Sequence, residues 1–263
     1  MFLRKVHRST AIATALLLST AAWAQDQGRE FHWHGKLSAD QLVTIKNVNG
    51  DIDASAVDTD EAQVDATKSG PNADQIRIEV VPGNEGVSIC AVYPGMSGHC
   101  GPGSSGYSNT GHNNGKVHFT VRVPKNVRFA GYNVNGNVNA DGMGREVQAN
   151  SVNGNVDVAT TSWAEAKTVN GHIKAAMGDA EWNGTLNIES VNGSIELDMP
   201  SDFSADVHFS SVNGHIETDF PLSVSNNWPV GHNAKGTIGK GGRELAIKTV
   251  NGNVELRKGS AGI

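Results

Sequence analysis

The side chains with most capacity for chemistry in this sequence are carboxylates and imidazoles, and many of them stand at fixed distances from one short motif, Val-Asn-Gly. Three residues after the glycine of each copy stand Asp53, Asn139, Asp157, Lys174, Glu196, Glu217 and Glu255. If the copies stack, these seven form a mostly acidic column with steps of about 5 Å. Like charges so close resist ionising together and attract cations. Such a column could hold calcium or a cationic polymer. It also reads as a solvated face, and Lys174 breaks it in a way that suits the solvated face. His172 and His215 each follow the motif glycine directly. With Ser194 between them they are expected two steps apart, roughly 10 Å. One ion with metal–nitrogen bonds near 2.1 Å cannot span that gap, so they read as exposed polar residues. His32 and His34 share one side of a strand, with Trp33 on the other. His99 and His112 lie in a Gly/Ser-rich stretch, and nothing fixes a third ligand. No metal or cofactor is implied.

Catalytic patterns are missing from the sequence. It has no GxSxG elbow, no HExxH and no phosphate-cradling glycine loop. Trp163, Trp182 and Trp228 fall between motif copies, where they could stack on sugar rings or cap the ends of a core. Cys90 and Cys100 flank AVYPGMSGH, a stretch able to fold back on itself, and they read as a disulfide. Two thiols alone make a poor zinc site, which wants about four ligands.

The elements that must position these residues are set by the motif. It occurs seven times, as NVNGDIDA, NVNGNVNA, SVNGNVDV, TVNGHIKA, SVNGSIEL, SVNGHIET and TVNGNVEL. The paired positions are Asn49 and Gly50, Asn135 and Gly136, Asn153 and Gly154, Asn170 and Gly171, Asn192 and Gly193, Asn213 and Gly214, and Asn251 and Gly252. Asn-Gly between apolar alternations is a strong hairpin signal, because both residues tolerate positive φ. A hairpin tip, however, has no reason to keep the preceding valine seven times. Stacked corners of a solenoid do, since valine then packs on valine and asparagine can bond to asparagine. Alternation in DQIRIEV, KVHFTVRV and ELAIKTV gives strands, and no 3.6-residue period appears outside the N-terminal segment. The class is all-β. The leading architecture is a single-stranded β-solenoid with roughly 17–22 residues per coil. An antiparallel sandwich or meander is the alternative. The motif valines from Val134 onward are spaced 18, 17, 22, 21 and 38 residues apart. The last interval suggests a degenerate copy near HNAKGTIGKGG.

Residues 1–24 read as a secretory signal: Arg4, Lys5 and Arg8, an apolar run over 11–22, then Ala22-Trp23-Ala24. The mature chain is expected to begin at Gln25 and to work in the periplasm or outside the cell. No later stretch approaches about 18 consecutive apolar residues. Losing the signal's three basic residues takes the net charge from −6 to −9, which makes nucleic acid a poor partner. Glycine supplies 31 of 263 residues, well above the usual share of about 7%. Residues 25–130 hold one motif copy and a long Gly/Ser/His-rich loop over 82–116. Residues 131–258 carry the remaining copies and are read as continuous with the former region.

The repeated VNGxI corners, NVNGDIDA early in the chain and the closing GTIGKGGRELAIKTVNGNVEL resemble a bacterial family usually called putative adhesins. The resemblance covers most of residues 30–258. It implies a β-solenoid-like, secreted or membrane-tethered domain of unknown function, with no catalytic residues to carry over. The Cys90–Cys100 loop is not expected of every member. The reading is a non-enzymatic, exported, adhesin-like protein that binds an envelope or cell-surface component. The alternative is a calcium-dependent, polysaccharide-active β-helix enzyme, hinted at only by the acidic column and Lys174.

Overall fold

Alternation decides the strands. In Thr185–Asn192, Leu186, Ile188 and Ser190 are buried while the residues between them are not. After the corner, Ile195, Leu197 and Met199 of Ile195–Met199 are buried in the same way. Each Val-Asn-Gly thus joins two strands whose apolar rows face one narrow core. This computed structural model describes residues 23–96, 100–101, 114–178, 181–224 and 232–259. They form two 11-stranded sheets, and each coil gives one strand to each sheet. The fold is an all-β solenoid with open, mostly parallel sheets. Small side chains such as Ala149, Ala166 and Ala175 line its middle, with Ile188, Leu197 and Leu256 further along.

The coils do not stack in chain order. In one sheet Val147–Asn153, Ala164–Asn170 and Thr185–Asn192 follow one another in parallel. The next strand is Glu244–Asn251, and only then Ala205–Asn213. In the other sheet Val254–Lys258 likewise lies between Ile195–Met199 and Ile216–Thr218. The last coil of the chain is therefore inserted between the fifth and sixth motif copies. Among the described residues no degenerate copy fills the 38-residue interval. HNAKGTI instead forms the strand His232–Ile238, antiparallel to Ala205–Asn213. The first motif copy is enclosed in the same manner. Leu42–Lys46 lies between Gly86–Val92 and Arg128–Tyr132, and Ile52–Val57 between Lys116–Pro124 and Val138–Met143.

Antiparallel strands finish the stack. At one end Arg77–Gly83 pairs with Gly86–Val92, and Trp23–Gln27, Glu30–Lys36, Glu61–Ser69 and Lys116–Pro124 run antiparallel in turn. The stretch 82–116 is thus not one loop: Gly86–Val92 is a strand that buries Val87, Ile89 and Ala91. Cys90 and Cys100 are disulfide-bonded. Beside them Thr44, Lys46 and Val48 are buried although alternation points them away from the core. At the other end aromatic side chains close the core. Trp182 stands 6.2 Å from Phe203, and Phe203 stands 5.6 Å from Phe220. Trp182, for which the sequence left a sugar platform and a core cap open, is 4% exposed and donates its indole N–H to the Glu244 carbonyl. Trp163 is half-buried against the core. Trp228 lies outside the described residues.

Candidate functional site

The motif copies build one edge of the solenoid, and each position in the motif has its own row. The residue before each valine is Asn, Ser or Thr, and it points inward. Ser151, Thr168, Ser190, Thr249 and Ser211 donate their hydroxyls to the glycine carbonyl of the neighbouring coil at 2.8–3.2 Å. Asn133 does the same through its amide to the Gly50 carbonyl, while Asn47 donates to Gly50 of its own coil and to the Val117 carbonyl of the neighbouring strand. This row was not read from the sequence, but its signal was present: every residue at this position can donate.

The motif asparagines form a continuous ladder. Nδ2 of Asn135, Asn153, Asn170, Asn192, Asn251 and Asn213 each donates to Oδ1 of the neighbouring coil's asparagine at 2.7–2.9 Å. The glycines lie against each other. A Cβ on Gly154, Gly171, Gly193, Gly214 or Gly252 would collide with the carbonyl of the glycine in the adjacent coil. Only Gly50 and Gly136 of the seven have positive φ, at 104° and 146°. Close backbone approach, not the left-handed conformation expected from Asn-Gly, is what the other five require.

The residue after glycine varies in type but keeps one role. Asp51, Asn137, Asn155 and Asn253 accept the backbone N–H of the same position in the next coil through Oδ1. Ser194 accepts the Asn253 N–H through Oγ, and His172 accepts the Ser194 N–H through Nδ1. A backbone N–H only donates, so His172 carries its proton on Nε2. All residue types seen here offer an acceptor. His172 and His215 are separated by both Ser194 and Asn253, three steps and not two.

The acidic residues do fall in one row, in the order Asp53, Asn139, Asp157, Lys174, Glu196, Glu255, Glu217. Three of the five acids, Asp53, Glu196 and Glu255, are engaged. Asn139 donates to Asp53 at 2.6 Å, and His118 lies 3.3 Å from the same carboxylate. Lys174 and Arg257 reach Glu196 at 3.6 and 3.0 Å, and Arg257 also pairs with Glu255. Those two glutamates raise the Arg257 pKa, Glu255 most of all. His32 Nδ1 stands 2.6 Å from Asp65, and His34 Nδ1 stands 2.7 Å from Glu61. Among the described residues no three His, Cys, Asp or Glu side chains are grouped so as to hold a metal ion. His99 and His112 lie outside the described residues.

The valine row differs from all of these. Val48 is buried and Val134 half-buried. Val152, Val169, Val191, Val250 and Val212 are 40, 39, 39, 39 and 53% exposed. Stacking explains the asparagines and glycines by bonds and contact. It leaves the valine methyls facing outward.

The repeated corner over this span matches the Toastrack DUF4097 family along residues 34–257. The chain belongs to that family. The Toastrack chain is similar to a putative cell adhesion protein from Clostridium sporogenes at 11% identity, with 86% of this chain and 98% of that one covered and a TM-score of 0.49. It is similar to a putative adhesin from Bacteroides fragilis at 10% identity, covering 88% and 98%, with a TM-score of 0.29. A putative adhesin from Parabacteroides merdae gives 10% identity, 87% and 96% coverage and a TM-score of 0.25. No curated protein matches the chain.

Proposed function

We propose that this Toastrack chain is an exported, non-enzymatic, adhesin-like solenoid that binds an envelope or cell-surface component. One observation carries the reading. The asparagine and glycine of each motif copy are engaged by bonds and close contact between coils, so the chain invests these repeated residues in a rigid axis and leaves its long outer faces for contact, as binding solenoids do. Three of the five outer carboxylates, Asp53, Glu196 and Glu255, are held by Lys174, Arg257, His118 and Asn139, which disfavours the calcium-dependent enzyme reading. Export rests on residues 1–24, and a disulfide at Cys90–Cys100 suits an oxidising compartment.

The test is retention of purified protein on the envelope fraction and on whole cells. Retention is expected, and polysaccharide chains incubated with the protein and calcium should keep their length. Cleavage abolished by one point change, with fold and retention intact, would replace this reading by the enzyme.

A further inference from the structure

The five exposed valines lie in one line. Their flanking residues are paired coil to coil, Ser151 with Thr168 with Ser190, and Asn192 with Asn251 with Asn213. From Val134 to Val212 the row has six rungs and runs about 24 Å, at about 4.8 Å per rung. Beside it runs the asparagine ladder, exposed along its length. Each amide in the ladder's interior uses one N–H and one oxygen lone pair on its neighbours. An amide has two of each, so each rung still presents a donor and an acceptor to solvent.

The strip is also uncharged. The six corners 133–137, 151–155, 168–172, 190–194, 211–215 and 249–253 contain no Asp, Glu, Lys or Arg, in a chain that is 18% charged. The one corner that contains a charge, Asp51, is the one whose valine, Val48, is buried by the chain itself. An apolar row at 39–53% exposure gains little for folding, and stacking alone would be served equally by a polar β-branched residue such as threonine. Its constancy in this chain therefore points outward.

Width and charge select the occupant. Valine to the residue after glycine spans about 10 Å, so the strip covers about 240 Å². A stable protein partner or second copy needs about 800 Å² per side. A thin linear polymer does not. Charge complementarity asks for a neutral one. A partner with apolar ring faces for the valines and hydroxyl or acetamido groups for the amides, repeating at about one ring per rung, meets each condition.

We propose that the valine–asparagine edge from Val134 to Val212 is a docking rail for an uncharged, extended glycan lying along the solenoid axis. This rests on the adhesin-like reading and gives it a site and a ligand class.

The probes are chitohexaose and cellohexaose, and the readout is the methyl NMR signals of valine-labelled protein. The signals of Val152, Val169, Val191, Val250 and Val212 are expected to shift with at least one probe, while those of Val48, Val156 and Val158 stay in place. The hexasaccharide should bind at least about tenfold more tightly than its disaccharide, because further rungs are engaged at high effective concentration. Salt should change the affinity by less than about twofold, since no charges meet. The triple variant V169S/V191S/V250S should lose about tenfold or more in affinity while keeping a single cooperative melting transition, lowered by the apolar area it gives up. Silent valines at millimolar hexasaccharide overturn the proposal. So does binding that the triple variant retains, or valine shifts that follow protein concentration without glycan, which would make the edge a contact between copies. Silent valines together with intact envelope retention would sink only the rail, whereas shifting valines without retention would sink the adhesin-like reading and keep the rail.

Discussion

At the scale of single residues, the corner is governed by how closely backbones approach. Gly193→Ala places a Cβ against the Gly171 carbonyl. The coil must move apart there, and a loss of about 2–4 kcal/mol is expected, in the range of other overpacked or strained sites. Gly101→Ala meets nothing within 4 Å and has no positive φ, so its melting curve should overlay the parent's. Equal losses at the two sites would refute the contact explanation. Ser194→Ala removes the acceptor of the Asn253 N–H and should cost about 1 kcal/mol. Ser194→Asn should restore it, because Asn155 and Asn253 already do that work. Tyr93 gives a pH test. Its hydroxyl donates to the Asn49 carbonyl at 3.2 Å, and burial pushes its pKa up to about 12. The unfolded phenol releases its proton near 10. The folded state therefore keeps its proton longer, and stability that is intact below pH 10 is lost as the pH climbs to 12. A fall of at most about 3 kcal/mol follows from a two-unit difference. Urea midpoints across that window should drop for the parent and drop less for Tyr93→Phe. The valine at 191 shows what was legible and misread. Alternation through Leu186, Ile188 and Ser190 already placed Val191 outside, yet its constancy suggested packing.

At the scale of elements, what could not be read is the order of the coils. Every corner carries nearly the same five residues, so any order of stacking makes the same asparagine ladder. The flanks choose instead: Leu186 meets Leu245 and Ile188 meets Ile247, while Ile195 and Leu197 meet Val254 and Leu256. That choice bridges 59 residues, from Asn192 to Asn251. It leaves Ala205–Asn213 and Ile216–Thr218 resting on the chain's last two strands. Ending the chain after residue 243 should therefore do more than remove one coil. It should strip the support from residues 205–218 and 232–238 as well, expose Ile188 and Leu197, and leave Trp182 without its Glu244 acceptor. Amide exchange should show protection lost from 205–218 and kept from 138–177. Protection retained over 205–218 would mean that this unit holds to the stack without the inserted coil. The disulfide pair and the strands that flank the motif copies were legible, because each is local, whereas Gly86–Val92 was hidden in a Gly/Ser-rich stretch read as loop. Insertion depends on long-range pairing, for which repeated sequence carries no address.

At the scale of the whole molecule, the stack must end somewhere without offering its edges to other chains. Open parallel sheets present unpaired N–H and C=O groups, and short or polar edge strands blunt that hazard. Among the described residues, Ile216–Thr218 is a three-residue edge with Glu217 at its centre. At the opposite end of the same sheet the outermost strand is Trp23–Gln27, paired from Trp23 with His34 to Gln27 with Glu30. No helix among the described residues is long and apolar enough to cross a membrane. The secretory signal proposed for residues 1–24 has a consequence here. Cleavage after Ala24 removes the two residues opposite His34 and Trp33 and leaves Gln25, Asp26 and Gln27 opposite His32, Phe31 and Glu30. The exported edge then becomes three polar residues, a match in length for the edge at the other end. Mass measurement of the exported protein should find Gln25 as its first residue, and Met1 still in place would refute the leader. A chain made from residue 25 should melt with one made from residue 23, because the lost pairs sit at the outer margin of the sheet. A lower midpoint for the shorter chain would mean that Trp23 and Ala24 belong to the fold, and the cleavage site would have to lie before them.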